Sequence, residues 1–120
     1  MLVITIAFAV ICEIYVTSTI NQASQYLVKA TESRRAGDYE ASKEYADLAW
    51  GKWREITNKS GYILADLTIT SDVSVTLSRI GMLSQTDDNE RFLEECTAGI
   101  IVLEHFLADN KNFLDGTLDN

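Results

Sequence analysis

MLVITIAFAVICEIYVTSTI, residues 1–20, is the stretch that decides the architecture of this 120-residue chain. Within Leu2–Val16, every residue except Thr5 and Glu13 is apolar. A bilayer core of about 30 Å takes roughly 20 mostly apolar residues in a helix. The hydroxyl side chains in this run can bond back to carbonyls of their own helix. The pattern predicts a membrane anchor over residues 1–20 and a helical domain over residues 21–120.

Glu13 is the strongest objection to this anchor. An acidic side chain at mid-bilayer costs about 2.5–3.5 kcal/mol, whereas each Leu, Ile, Phe or Val returns about 0.3–0.6 kcal/mol. Nine such residues between Leu2 and Val16 bring the total near zero, and Tyr15 fits an aromatic belt at the interface. Two alternatives stay open: a core helix buried in a soluble bundle, and a cleaved signal peptide. The signal peptide lacks both a basic n-region and a small-residue cleavage site.

Composition favours a single small helical domain after the anchor. The chain has no proline and only 6 glycines, which suits long helices. Its two cysteines, Cys12 and Cys96, make neither a disulfide framework nor a metal site, and we interpret both as small apolar residues. The net charge of −8 falls entirely in residues 61–120. An acidic surface repels phosphate backbones, so we expect no nucleic acid partner.

Helix boundaries can be placed from local signals. Arg34 and Arg35 followed by Gly37 predict the end of a first helix that begins in the anchor, because glycine takes the left-handed C′ conformation at low cost. Asp38 is the expected cap of a second helix over residues 39–59.

The second helix carries two tryptophans three residues apart, so we expect Trp50 and Trp53 to share a face. Packing in the core and contact with a partner are both open for this pair. The apolar stripe of this helix is predicted at Ala41, Tyr45, Leu48, Lys52 (its alkyl stem) and Ile56, flanked by Ala49 and Trp53.

Residues 67–77 fit two patterns. Alternating β-branched residues indicate a hairpin that turns at Ser71-Asp72. The spacing of Ile69, Val73, Leu77, Ile80 and Ser84 indicates a helix. A lone hairpin would have no sheet to join, so we predict a helix here.

The last helix shows a wide apolar face at Phe92, Leu93, Cys96, Ile100, Leu103, Phe106 and Leu107. Asp87 with Glu90 resembles a capping box at its start. Beyond Asp109, the residues Phe113, Leu114 and Leu118 are available to pack back on the bundle. The predicted fold is all-α: an N-terminal membrane helix continuing into a small antiparallel bundle of about four helices.

Three segments carry a family resemblance: GDYEAS (37–42), AWGKWREI (49–56) and DLTITSDVSVTLSRI (66–80). With the anchor, they resemble small Gram-positive proteins grouped as domain of unknown function 4363. That resemblance covers nearly the whole chain and implies an N-terminal membrane helix followed by an all-helical extracytoplasmic domain. It supplies no activity. Members commonly have a histidine after the aspartate, whereas here Leu67 follows Asp66.

Topology is open from the charges alone. The first basic residues after the anchor are Lys29, Arg34 and Arg35, and the positive-inside rule would place them in the cytoplasm. The resemblance instead favours the outer face of a single-pass cell-membrane protein, and we adopt that orientation.

The sequence offers no catalytic constellation. His105 is the single histidine, and no phosphate loop, His/Cys cluster or EF-hand spacing accompanies it. We therefore expect no enzyme activity, no catalytic residues, no cofactor and no metal. The expected partners are the lipid bilayer and another membrane or extracytoplasmic protein. The predicted function is a non-catalytic interaction or scaffold module, with Trp50, Trp53 and Glu13 as candidate partner contacts. The alternatives are an accessory subunit that acts through its anchor helix, with Glu13 paired to a partner's polar group, or a soluble bundle with residues 1–20 buried.

Overall fold

The chain folds as four α-helices. The computed structural model describes residues 2–60 and 67–119, with side chains described for 2–8, 10–58 and 70–109. The helices are α1 (Leu2–Arg35), α2 (Tyr39–Ser60), α3 (Leu67–Leu83) and α4 (Asn89–Asp119), and the described ranges contain no strand. Helix α1 packs against α2 and α4, and α3 closes the bundle between α2 and α4. The predicted all-α antiparallel bundle is confirmed.

Helix α1 has two halves with different surroundings. Its second half contributes Val16, Ile20, Ala23, Leu27 and Ala30 to the core, spaced four and three residues apart. This spacing keeps one narrow seam of the helix facing the bundle.

The first half of α1 is exposed. Leu2, Val3, Ile4, Phe8, Ile11 and Ile14 are each more than half exposed. The bundle thus begins at Val16, and the predicted division at residue 20 falls inside one continuous 34-residue helix.

The turn between α1 and α2 has the predicted chemistry. Gly37 has φ of +83°, and the Asp38 amide donates to the Ser33 carbonyl over 2.8 Å, which closes the left-handed C-terminal motif. The Asp38 carboxylate then accepts the Ala41 amide over 3.1 Å. Both predictions for this turn are confirmed, and together they direct α2 back along α1.

Residues 67–83 form helix α3. The prediction of a helix is therefore confirmed, and the alternative of a hairpin at these residues is wrong. Val73, Leu77 and Ile80 are buried at helical spacing, as predicted. Burying three aliphatic side chains in the bundle outweighs the β-propensity of this stretch, because propensity differences are about 1 kcal/mol at most.

Two local predictions were wrong. The cap of α4 is Asp88 rather than Asp87, since the Asp88 carboxylate accepts the Arg91 amide over 3.2 Å. On α2, Leu48 is 41% exposed, whereas the buried seam consists of Ser42, Ala46, Ala49, Trp53 and Ile56. The alanines of this seam let α1 approach α2 closely, and the larger Leu48 is left outside.

Arg34 is the one charged side chain buried in the described part of the chain, with 2% exposure. Its Nε donates to Asn89 Oδ1 over 2.7 Å, its Nη1 to the Ser84 carbonyl over 3.2 Å, and its Nη2 to the Thr86 carbonyl. The guanidinium lies between two rings, 4.6 Å from the Tyr39 centroid and 4.7 Å from the Phe92 centroid. One side chain therefore joins the end of α1 to the start of α2, the loop after α3 and the start of α4, at the end of the bundle farthest from the N-terminus (the distal end).

Some sequence predictions fall outside the described residues. They concern Asp66 and the side chains of Leu67, Ile69, Phe113, Leu114 and Leu118.

Replacing Arg34 tests whether this cluster holds the bundle together. We expect Arg34→Met to lower the free energy of unfolding by about 3 kcal/mol, because the buried Ser84 carbonyl, the Thr86 carbonyl and the Asn89 side-chain oxygen lose their charged donor. The measurement is chemical denaturation of the full chain in detergent, followed by far-UV circular dichroism. The control is the exposed neighbour, Arg35→Met, with an expected change within about 0.5 kcal/mol. Equal stability of the two variants would contradict this role.

Candidate functional site: a groove between α2 and α3

Trp53 lies in the core. Its side chain is 1% exposed, its Nε1 donates to Ser74 Oγ over 2.8 Å, and its ring meets Phe106 edge-on at 5.0 Å. This indole is satisfied internally, and its contacts join α2 to α3 and α4. Core packing, one of the two interpretations of the tryptophan pair, is correct for Trp53. Its side chain is too deeply buried to contact a partner.

Trp50 has a different environment from Trp53. It is half-buried at the edge of the core and lines a groove between α2 and α3. Two adjoining cavities make up this groove, of about 440 Å³ and about 280 Å³, and Trp50, Ser78 and Met82 line both. We call this feature the α2–α3 groove.

The walls of the α2–α3 groove are mainly apolar or uncharged. Val75 is 51% exposed and Met82 is 69% exposed, although both lie on a helix whose other apolar side chains are largely buried. A Cβ built on Gly81 meets no atom within 4 Å, so the groove is open at this position. Methionine adapts its shape to irregular apolar partners. Such a surface suits an apolar helix face rather than a charged ligand.

Charged residues border the groove on its two sides. Asp47 lies on α2, and Arg79 lies on α3 with its Nη1 3.4 Å from Glu95 Oε1. Arg79 is therefore already paired with α4, and an exposed pair of this kind is worth little energy. The border adds polar contacts around an apolar centre, which is the usual arrangement of a protein-binding surface.

Of the residues that line this groove, only Trp50 was predicted from the sequence as a partner contact. Val75 and Met82 are seven residues apart, on the side of α3 opposite Leu77 and Ile80. A large apolar residue that falls off the buried stripe is the signal that marks such a surface. The sequence of α3 contains this signal, because Val75 and Met82 fall outside the core stripe of that helix.

Glu13, the third candidate partner contact, lies on α1 just before the bundle begins. Glu13 is half-buried, one turn before the first core residue, Val16. Close by, the Tyr15 hydroxyl donates to Glu55 Oε1 over 3.0 Å, and Lys52 Nζ lies 3.8 Å from the other oxygen of Glu55. Tyr15 thus links α1 to α2 at the proximal end of the bundle, a role that the sequence did not predict.

No family model matches this chain, and no curated protein and no solved structure gives a significant match to it. The resemblance to domain of unknown function 4363 therefore stays a prediction.

Groups that could perform catalysis are dispersed or already in use. Within the described ranges, no three His, Cys, Asp or Glu side chains converge as a metal site would require. His105 is exposed on α4. Asp88 caps α4, as described above.

Cys96 is buried beside Arg34, and burial raises the pKa of its thiol from 9.0 to about 11. A thiol nucleophile needs the opposite shift, because the thiolate is the reactive form.

We expect Cys96 in the folded chain to resist iodoacetamide at about pH 8 and to react fully after denaturation. The measurement is peptide mass spectrometry after alkylation, with Cys12→Ser as the parent so that a single thiol is followed. Rapid labelling of Cys96 in the folded chain would contradict the assigned burial and pKa.

Proposed function

We propose that this chain is a membrane-anchored, non-catalytic interaction module. The exposed first half of α1 lies in the cytoplasmic membrane, and the bundle stands at its outer face. The α2–α3 groove accepts an apolar helix face of another membrane or extracytoplasmic protein. This assignment of the domain to the outer face follows the family resemblance given above.

The observation that carries the anchor is the change of surroundings along α1. Among the described helices, α1 alone is long and apolar enough to cross a membrane, and only 18% of its most apolar window is buried. Each large aliphatic side chain left in water forgoes about 1.5–3 kcal/mol that burial would return. A cluster of such residues projecting from an acidic chain is stable when lipid covers it.

The observation that carries the groove is the pair of exposed apolar residues on α3. Val75 and Met82 flank an open strip at Gly81, with Trp50 on the facing helix. Tryptophan and methionine are enriched at the centres of protein interfaces. Because Trp50 is half-buried and packed against the core, its position is fixed before a partner binds, which lowers the entropy lost on binding.

Two truncations test where the anchor ends and the bundle begins. We expect deletion of residues 1–14 to release a soluble, folded helical domain, because none of the described side chains that it removes is fully buried. Deletion of residues 1–20 removes Val16 and Ile20 from the core and should cost a further 4 kcal/mol or so, about 2 kcal/mol for each side chain.

The measurements are membrane fractionation of the full chain with protease accessibility, and chemical denaturation of both truncated domains. A full chain that purifies without detergent as a monomer would contradict the anchor. Aggregation of the shorter deletion product would contradict the independent bundle.

Filling the α2–α3 groove tests the binding surface. Gly81→Leu places a side chain in open space inside the groove and improves helix propensity by about 1 kcal/mol, so the fold should be retained. A photo-crosslinking residue at Met82, used in intact membranes, should give a discrete adduct that Gly81→Leu abolishes. The matched control is Gly51→Leu, at a glycine that is also unobstructed but does not line the groove. An adduct that persists in Gly81→Leu would remove the groove from the proposal.

A further inference from the structure

Helix α4 continues well beyond the hydrophobic core. Among the side chains that the structure describes, its last buried one is Phe106, whereas the helix itself ends at Asp119. The residues in between, 107–119, add about 20 Å of helix. We call them the α4 extension.

The α4 extension runs beside the first half of α1. Helix α4 begins at the distal end, where Arg34 donates to Asn89, and it lies antiparallel to α1. At Gly99 it is so close to α1 that an added Cβ would stand 2.9 Å from Leu27 Cδ1. The molecule is 54 Å long and only 22 by 19 Å across, so a helix of 31 residues, about 46 Å, can lie only along its length. The extension therefore reaches the level of the residues before Val16.

Exposure of the first half of α1 is uneven in a way that fits this placement. Ile6 and Val10, four residues apart, are each 42% exposed, whereas Ile4 and Ile11, on a different side, are 71% and 64% exposed. Counted from the distal end, α2 is 22 residues long and α3 is 17, but Ile6 lies 28 residues from Arg34. Of the described helices, α4 alone is long enough to cover this side of the first half.

A bilayer cannot accept the α4 extension in this place. Its sequence contains four charged residues: Asp109, Lys111, Asp115 and Asp119. Charged residues are the costliest of all to place in the hydrocarbon core, and they would enter it if the extension stayed beside an inserted first half. The extension and a bilayer therefore compete for the same side of α1.

We propose that the α4 extension is a removable cover for the first half of α1. In the absence of a bilayer it lies along the side that carries Ile6 and Val10, and it separates from that side when the first half enters lipid. The inference rests on the proposed anchoring, because lipid is what displaces the cover. The cover is one-sided, so the exposed Ile4 and Ile11 offer lipid a first point of contact.

Paired cysteines can lock the extension in place. The buried residues of α4 are spaced four and three apart up to Phe106, and the same spacing continues at positions 113 and 117. We introduce Val10→Cys with Phe113→Cys, or Ile6→Cys with Thr117→Cys. The two members of a pair lie equally far, 24 or 28 residues, from the contact between α1 and α4 at the distal end. Each pair should therefore be level.

The lock is tested on the full chain in a Cys12→Ser parent, with Cys96 kept because it is buried. The chain is made by cell-free synthesis without lipid or detergent, so that no bilayer competes. Mild oxidation should then give an intramolecular disulfide in at least one pair, identified by peptide mass spectrometry. When phosphatidylcholine vesicles are added, the oxidised chain should fail to float with them, and reduction of the same sample should restore flotation. Each single-cysteine variant, treated with the same oxidant, is the control and should float.

Each outcome of the lock decides the proposal. No disulfide in either pair would overturn the cover. An oxidised chain that floats as well as its reduced form would overturn the competition with lipid. A disulfide that forms equally well in chains already inserted in membranes would do the same, because the extension would then stay beside α1 in lipid.

A second variant avoids dependence on cysteine chemistry. Phe113→Gln with Leu114→Gln keeps the length and charge of the extension and removes two of its apolar residues. If the uncovered form is populated at about 0.1–10%, loosening the cover should raise the affinity for phosphatidylcholine vesicles by about tenfold or more. The control, Ile101→Gln, removes an exposed apolar residue of α4 at the level of the core and should leave this affinity unchanged. Equal affinities of the two variants would contradict the cover.

Flotation of the reduced chain separates this proposal from the anchor. A reduced chain that floats although neither pair links keeps the anchor and removes the cover. A chain that links but never floats removes the anchor, and the extension is then a permanent part of the bundle.

Discussion

The buried guanidinium of Arg34 is the interaction on which the rest of the bundle depends. It is a charge placed in the interior with no ion pair to a carboxylate of the described residues, held instead by carbonyl dipoles and by two ring faces. The carbonyls that it reaches follow the C-terminus of α3, where a positive charge is favoured by the helix dipole. Because Asn89 opens α4, a single side chain fixes three helix ends and closes the distal end of the bundle.

Arg34 closes one end of the bundle, and the opposite end adjoins the exposed first half of α1. Helix α1 passes from exposed apolar residues to buried core residues without a break, so no flexible segment separates the two parts in the described chain. A bilayer around the first half would fix how the bundle stands on the membrane. The α2–α3 groove lies on the side of the bundle that α1 does not form, so insertion of the first half of α1 leaves the groove accessible.

Sequence patterns sufficed wherever the deciding forces were local. Gly37 and Asp38 determine their turn through backbone conformation and capping, and both could be identified from neighbouring residues alone. The helix over residues 67–83 needed one further argument, that a lone hairpin has nothing to pair with. Predictions failed where distant residues decide. Arg34 continues the four-and-three spacing of the α1 core seam whereas Arg35 does not, but the carbonyls that hold its charge lie in the distant loop after α3. Likewise, Trp53 differs from Trp50 because Ser74 and Phe106 surround it.

The distribution of charge explains why one surface stands out on so acidic a chain. A net charge of −8 keeps most outer faces solvated and apart from one another. Selective contact then needs a place where this repulsion is absent, because bringing carboxylates together costs more than a modest apolar contact returns. The α2–α3 groove is such a place, since Trp50, Val75 and Met82 give it an apolar centre. That chemistry suits the groove to an apolar helix face.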